Sequence, residues 1–236
     1  MNRMALMLLR NITKLPGTYR KLCHYAKHTD KYPEQEKYNH IRHMFRLALD
    51  KGNIDLQVTG TEHIPEENGY LIYANHQGLF DVIALVYTFP GPLSCVFKHE
   101  LKDVPLIKQI IACTKSFAMD RADVRQSLTV IRSVSEEVKK GRNYLIFPEG
   151  TRSKLGNTMV DFHSGSFKAA LKAKCPILPV AFVDSFRVLD EKGSAPVGVG
   201  IHYLPPIPYE EFKDMNTVEL AALVKGKIQA AMDKYV

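Results

Sequence analysis

Nowhere in its 236 residues does this chain hold an apolar run near the ~20 residues that a membrane-crossing helix needs. No C-x-x-C pair occurs either. The four cysteines, Cys23, Cys95, Cys113 and Cys175, are scattered, so they read as reduced thiols of a cytoplasmic protein rather than a disulfide framework or zinc site. Two histidine pairs, His24 with His28 and His40 with His43, have helical spacing. No carboxylate or cysteine set completes them, so no metal is expected. Zinc-finger and RNA-recognition signatures are absent, as are internal repeats and low-complexity tracts. The formal charge of +7 is therefore not read as a nucleic-acid footprint. It leaves anionic membranes and anionic small molecules, which a basic surface attracts by the same physics.

Acidic residues are scarcest at the start. Before Tyr32, Asp30 alone stands against Arg3, Arg10, Lys14, Arg20, Lys21, Lys27 and Lys31. Met4, Leu6, Met7, Leu8, Leu9 and Ile12 form the apolar side of this segment. Its apolar core is too short for a signal peptide, and no small-residue cleavage site follows. A basic amphipathic segment reads as a helix lying in the membrane interface, with Arg3, Arg10 and Lys14 toward anionic head groups. Pro16-Gly17 breaks it. A second helix is expected from Pro33 to Lys51, with Tyr38, Ile41, Met44, Phe45 and Ala48 on one face and Gly52 as its stop. Docking on a membrane and packing on the core are both open to it. The expected organisation is an N-terminal helical membrane-docking segment, residues 1–52, followed by an α/β domain, residues 53–236.

Beyond Gly52, short apolar runs alternate with helical patterns. Strands are expected at Ile54–Gly60, Tyr70–Ala74, Ser94–Phe97, Ser116–Met119, Tyr144–Phe147, Ile177–Val183 and Val197–Leu204. Helices should begin at Phe80, cover Leu106–Cys113, Ala122–Lys140 and Ser166–Lys174, and close the chain from Thr217. Between Phe147 and His163 a polar loop is expected. This alternation predicts an α/β fold with a mostly parallel sheet flanked by helices. In such sheets functional groups collect at strand ends.

Two strand ends carry chemistry. Tyr70–Ala74 runs into Asn75-His76-Gln77-Gly78-Leu79-Phe80-Asp81. An imidazole is the natural general base near neutral pH, and a carboxylate on its other nitrogen fixes the tautomer. On one regular helix a five-residue spacing sets two side chains roughly 140° apart. His76 and Asp81 can therefore meet only if His76 lies in the turn and Asp81 in the first turn of the next helix, with Gly78 giving the turn its freedom. A solvated histidine at a helix start is the plainer alternative. The second strand, Tyr144–Phe147, runs into Pro148-Glu149-Gly150-Thr151-Arg152-Ser153. Arg152 offers a planar fork of donors for phosphate, and Gly150 lets backbone N–H groups approach an anion. A surface turn with a local ion pair would look the same.

In this order the two segments resemble the glycerolipid acyltransferase family, most of all its lysophosphatidate (1-acylglycerol-3-phosphate) acyltransferases. Asn75, His76 and Asp81 match N-H-x-x-x-x-D, and Phe147–Ser153 matches F-P-E-G-T-R-S without a gap. Ser116–Arg121 fits the intervening aromatic-then-arginine motif, and Ile177–Ala181 fits a proline-bearing strand. Where the family often has F-K-x-G, this chain reads Phe162-His163-Ser164-Gly165.

The resemblance implies an enzyme that moves a fatty acyl group from a thioester to the free hydroxyl of lysophosphatidate, giving phosphatidate for phospholipid synthesis. His76 and Asp81 would be catalytic. Asn75, Arg121, Glu149, Gly150, Thr151 and Arg152 would hold the acceptor, with Glu149 bonding a hydroxyl or steadying an arginine, and Pro179 would flank the acyl path. No cofactor or metal is implied; acyl-CoA or an acyl carrier protein thioester is the co-substrate. The expected partners are that donor, lysophosphatidate and an anionic phospholipid surface at the cytoplasmic face of the cell membrane, with monotopic or peripheral attachment. Glycerol-3-phosphate or another lysolipid is the alternative acceptor, His163 leaving room for a different head group. A lipid hydrolase using the same His/Asp pair is the alternative of a different class, although no G-x-S-x-G elbow is present.

Overall fold

Residues 2–235 are described by a computed structural model. Met1 and Val236, the outer ends of the two expected segments, lie outside the described residues. Seven strands form one sheet in the order β1-β7-β6-β2-β5-β3-β4. These are β1 (Ile54–Thr59), β2 (Leu71–Ala74), β3 (Leu93–Lys98), β4 (Phe117–Met119), β5 (Asn143–Ile146), β6 (Ile177–Val183) and β7 (Val197–Tyr203). Every pairing is parallel except β6 with β7. The central strands β2, β5 and β6 are buried along their whole length, as a sheet covered on both faces requires.

Alternate residues of each strand feed two separate apolar layers. One layer takes Ile72, Ala74, Leu145 and Leu178 from the sheet and packs them under the first five helices. These are α1 (Arg3–Arg10), α2 (Leu15–Lys27), α3 (Glu34–Asp50), α4 (Phe80–Thr88) and α5 (Ile107–Thr114). The other takes Leu71, Tyr73, Tyr144 and Ile177 and lies under α6 (Val124–Lys139), α7 (Lys168–Ala173) and, later in the chain, α9 (Tyr209–Phe212) and α10 (Thr217–Met232). Between β6 and β7 runs one short turn of helix, α8 (Phe186–Leu189).

The N-terminal helices depart from expectation at Pro16 and Arg3, and of the two roles open to the Pro33–Lys51 helix it takes packing on the core. Pro16 does not simply end structure: it sits in the first turn of α2, where its missing N–H costs nothing. Leu22 and Tyr25 of α2, with Tyr38 and Ile41 of α3, belong to the same core layer as β2. And Arg3 does not face outward. It is buried, donating to the carbonyls of Val188, Gly52 and Asn53. Leu6 and Met7 turn inward as well, whereas Met4, Leu8, Leu9 and Ile12 remain exposed as a stripe at helical spacing. His40 is buried, with its ring nitrogen 2.9 Å from the Thr18 carbonyl.

In α6, Asp123 caps the N-terminus through the amides of Arg125 and Gln126. Its apolar positions divide. Ile131, Val134 and Val138 enter the core, while Val124 and Leu128 stay exposed beside the ends of β3, β4 and β5.

Candidate active site

β2 and β5 are parallel neighbours, with Tyr73 opposite Ile146, so their C-terminal ends release both polar motifs on the same side of the sheet. The chain then locks the two motifs together. His76 N–H donates to Glu149 Oε1 at 2.6 Å, and Ser153 N–H donates to the His76 carbonyl at 2.9 Å. The residue carrying the imidazole is thus pinned on both sides of its backbone.

The ring itself meets Asp81. His76 Nδ1 lies 2.7 Å from Asp81 Oδ2, across a turn that places Asp81 in the first turn of α4. The same Oδ2 accepts the N–H groups of Gln77 (2.7 Å) and Gly78 (3.0 Å), while Oδ1 accepts the Ser185 hydroxyl. Asp81 is fully buried, and four donors around the N-terminus of α4 fix its orientation. His76 remains partly exposed, and Phe147 stacks on its ring with centroids 4.0 Å apart. With Nδ1 held by the carboxylate, Nε2 is the nitrogen left to take a proton. Among the described residues no side-chain hydroxyl or thiol is hydrogen-bonded to the ring. Gly78 is required for space rather than backbone freedom: a Cβ there would stand 2.7 Å from Asp190 Oδ2 and 3.0 Å from Phe186 Cα.

Phe147 also lines a mostly apolar groove of about 420 Å³. Its floor comes from Val96, Met119, Val124, Leu128, Ile131 and Ile146. Its polar rim includes Arg121, His163 and Lys168. Gly150, at φ +67, lies where any Cβ would meet the His163 ring at 2.7 Å, with the Arg121 side chain 3.8 Å away. Arg121, His163 and Gly150 therefore converge, and Arg121 is exposed with no ion-pair partner among the described residues.

Several expected substrate ligands are otherwise engaged. The Asn75 side chain is buried and bonds the Phe182 backbone in both directions, at 2.9 and 2.7 Å, so it ties the strand end to β6. Glu149 touches neither an arginine nor open space. Its second oxygen accepts Val160 N–H at 2.9 Å, so the carboxylate is spent on backbone amides, and burial raises its pKa against the pull of those two bonds. Arg152 is paired with Asp190 at 2.6 Å. Thr151 is exposed, and its hydroxyl reaches only the Arg152 carbonyl at 3.5 Å. Pro179 stands inside β6, opposite Tyr73 and buried, with its carbonyl accepting from Leu204. It is neither an edge proline nor a wall of the groove.

Sequence reasoning passed over Gln77, Asn157 and Ser185. Gln77 Oε1 accepts from the Ser185 backbone and lies 3.1 Å from its hydroxyl, and Gln77 Nε2 donates to Asn157, which bonds Asp184. Gln77 was visible as a polar residue within the first motif. Ser185, 104 positions from Asp81, gave no signal.

Comparison with known proteins places the chain by family and by fold. The acyltransferase family model matches residues 55–183, just over half of the chain. The 1-acyl-sn-glycerol-3-phosphate acyltransferase of Salmonella typhimurium is 33% identical over 202 residues, 82% of this chain and 80% of that protein. The protein of that name from Borreliella burgdorferi is 28% identical over 80% of this chain and 76% of its own length. The one from Saccharomyces cerevisiae is 32% identical over 64% of this chain, which spans 49% of it. The crystal structure of the 1-acyl-sn-glycerophosphate acyltransferase from Thermotoga maritima superposes with a TM-score of 0.74, covering 96% of this chain and 97% of that one at 22% identity, and so shares the fold.

Proposed function

This chain belongs to the acyltransferase family, and on that premise we propose that it moves a fatty acyl group from a thioester to the free hydroxyl of 1-acylglycerol-3-phosphate, forming phosphatidate. The observation that carries the reading is the His76–Asp81 pair beside an apolar groove that shares Phe147 with it. An alcohol is a weak nucleophile at neutral pH. His76 Nε2 takes its proton as the oxygen attacks the thioester carbonyl, and Asp81 stabilises the imidazolium that forms. The tetrahedral intermediate collapses by expelling the thiolate, and the imidazolium can return the proton to it. No acyl-enzyme is needed, in keeping with a ring that has no protein nucleophile bonded to it among the described residues.

Arg121, His163 and the Gly150 backbone receive the acceptor's phosphate, a reading supported by their convergence at the groove rim and by the apolar floor beside them, which suits an acyl chain. Acyl-CoA or acyl carrier protein supplies the thioester. Glycerol-3-phosphate or another lysolipid is the competing acceptor, because His163 stands where the family often carries a lysine.

The work takes place at the cytoplasmic face of the membrane, with the chain attached as a monotopic or peripheral protein. No helix among the described residues is long and apolar enough to cross a bilayer. The exposed Met4, Leu8, Leu9 and Ile12 of α1 and the following turn provide apolar insertion, with Arg10 and Lys14 at hand for anionic head groups. Thioester consumption with a panel of acceptors tests the function. Thiol release that requires lysophosphatidate and yields phosphatidate is expected. Thioester loss to water at the same rate without any acceptor would make it a hydrolase.

A further inference from the structure

We propose that Ser185 is a positioning residue for the reaction: its hydroxyl holds Asp81 so that one carboxylate oxygen is reserved for His76. This rests on the acyl-transfer reading, with His76 as base.

The argument is one of hydrogen-bond capacity. A carboxylate is acceptor-only, and that of Asp81 is fully buried. Oδ2 takes the ring and two backbone amides from the turn that precedes α4. Those three donors lie within five residues of Asp81 and meet one oxygen. Nothing in that turn satisfies Oδ1. The donor that does comes from the far side of the site, at the end of β6, where Ser185 is itself fully buried. A serine hydroxyl has one proton and two acceptors within reach here, Asp81 Oδ1 and Gln77 Oε1 at 3.1 Å. The carboxylate, being charged, is the stronger acceptor and takes it. Gln77 Oε1 is already supplied by Ser185 N–H at 3.0 Å, and this bond fixes the serine backbone so that its Oγ faces Asp81. Gln77 is held in turn by Asn157, and Asn157 by Asp184.

Removing the Ser185 hydroxyl has two consequences of known sign. The carboxylate loses one of the two arms that define its plane, so the ring is held less well for proton transfer. It also loses a donor that drew off negative charge, so Oδ2 binds an imidazolium more strongly and the His76 pKa rises. The other charged groups around the ring are unchanged by the substitution: Glu149 at the His76 backbone, the Asp190–Arg152 pair against Gly78, and Asp184 behind Asn157.

The test is Ser185→Ala in the full chain, measured alone and with Asp81→Asn. In the wild-type background kcat should fall about tenfold or more, from the loss of a hydrogen bond to a charged group. The acidic limb of the kcat/KM profile should move to higher pH. Nuclear magnetic resonance of the His76 ring should show a raised pKa without any substrate present. In the Asp81→Asn background the same substitution should cost less than about threefold, since the carboxylate it served is gone. A merely structural serine would instead give additive losses and an unmoved ring titration, and either result overturns the proposal. Should Ser185→Ala fold poorly, Ser185→Cys keeps the volume and a weak donor. It should raise the ring pKa by a smaller amount, and an unchanged ring titration in that variant also overturns the proposal. Because the ring titration needs no acceptor, failure of this proposal is distinguishable from failure of the acyl-transfer reading, which would show as wild-type protein inactive on every lysolipid.

Discussion

Replacing Glu149 separates a scaffold from a ligand. Its carboxylate is buried to 1% exposure and accepts two backbone amides, His76 N–H at 2.6 Å and Val160 N–H at 2.9 Å. Glu149→Ala strands both donors. Each buried group left unpaired costs about 1–3 kcal/mol, so the loss should be about 2–6 kcal/mol. That is a large share of the roughly 5–15 kcal/mol by which a domain is stable. Glu149→Gln keeps the shape but turns an NH₂ toward one of the two donors, and should cost about half as much. Burial raises the Glu149 pKa above its unfolded value, so its contribution is fully present below that unfolded value and is lost as pH rises through the folded one. Wild-type stability should therefore fall as pH rises through the folded value, and Glu149→Gln, which has no carboxyl to titrate, should lack that fall. Urea unfolding followed by circular dichroism measures both quantities. An unchanged midpoint in Glu149→Gln, together with a raised KM for the phosphate acceptor, would refute this reasoning and return Glu149 to substrate binding.

Other outcomes are as definite. Arg121→Ala should lower kcat/KM for a phosphate-bearing acceptor by about 10- to 150-fold, the worth of a charged hydrogen bond, while barely affecting an uncharged monoacylglycerol; parallel assays on the two acceptors decide it. Replacing both Leu8 and Leu9 by Ser should weaken partition onto anionic vesicles about a hundredfold or more, as two apolar side chains no longer enter the acyl boundary. Circular dichroism should be unaltered, because both residues are exposed, and full sedimentation of the variant with vesicles would place the anchor elsewhere. Glu34 accepts a fork from Arg142 at 2.6 and 2.8 Å and pairs with Lys115 at 2.8 Å, which lowers its pKa to about 2. Its contribution to stability is present above the ordinary glutamate range and is lost as pH falls toward that value, so Glu34→Gln should flatten the acid side of a stability–pH curve.

Local rules carried the sequence far where structure is local. The strands and the long helix α6 follow from apolar period and punctuation, and the five-residue spacing of His76 and Asp81 allowed only the turn-then-helix geometry that is found. What was hidden depends on distant partners. Asn75, Glu149 and Arg152 have the residue types of ligands, yet Phe182, Val160 and Asp190 occupy them, and no spacing rule announces those contacts. Arg3 looked like a head-group cation because its carbonyl partners lie near residues 52 and 188. Helix α2 was missed because Pro16 was read as a breaker rather than as a first-turn residue. The groove had a faint signal. Val124 and Leu128 continue the apolar phase of α6 beyond the part of the helix that the core can cover.

The central claim is that His76 activates the acceptor's own hydroxyl, and single-turnover transfer from a radiolabelled acyl thioester tests it most directly. Purified wild-type chain should hold the thioester intact until lysophosphatidate is added, then form labelled phosphatidate with no label retained on the protein. His76→Ala, folded by circular dichroism, should form it roughly 10²–10⁴ times more slowly, the usual worth of a positioned base. Label bound covalently to the protein before the acceptor arrives, or a His76→Ala rate near that of wild type, would contradict the account.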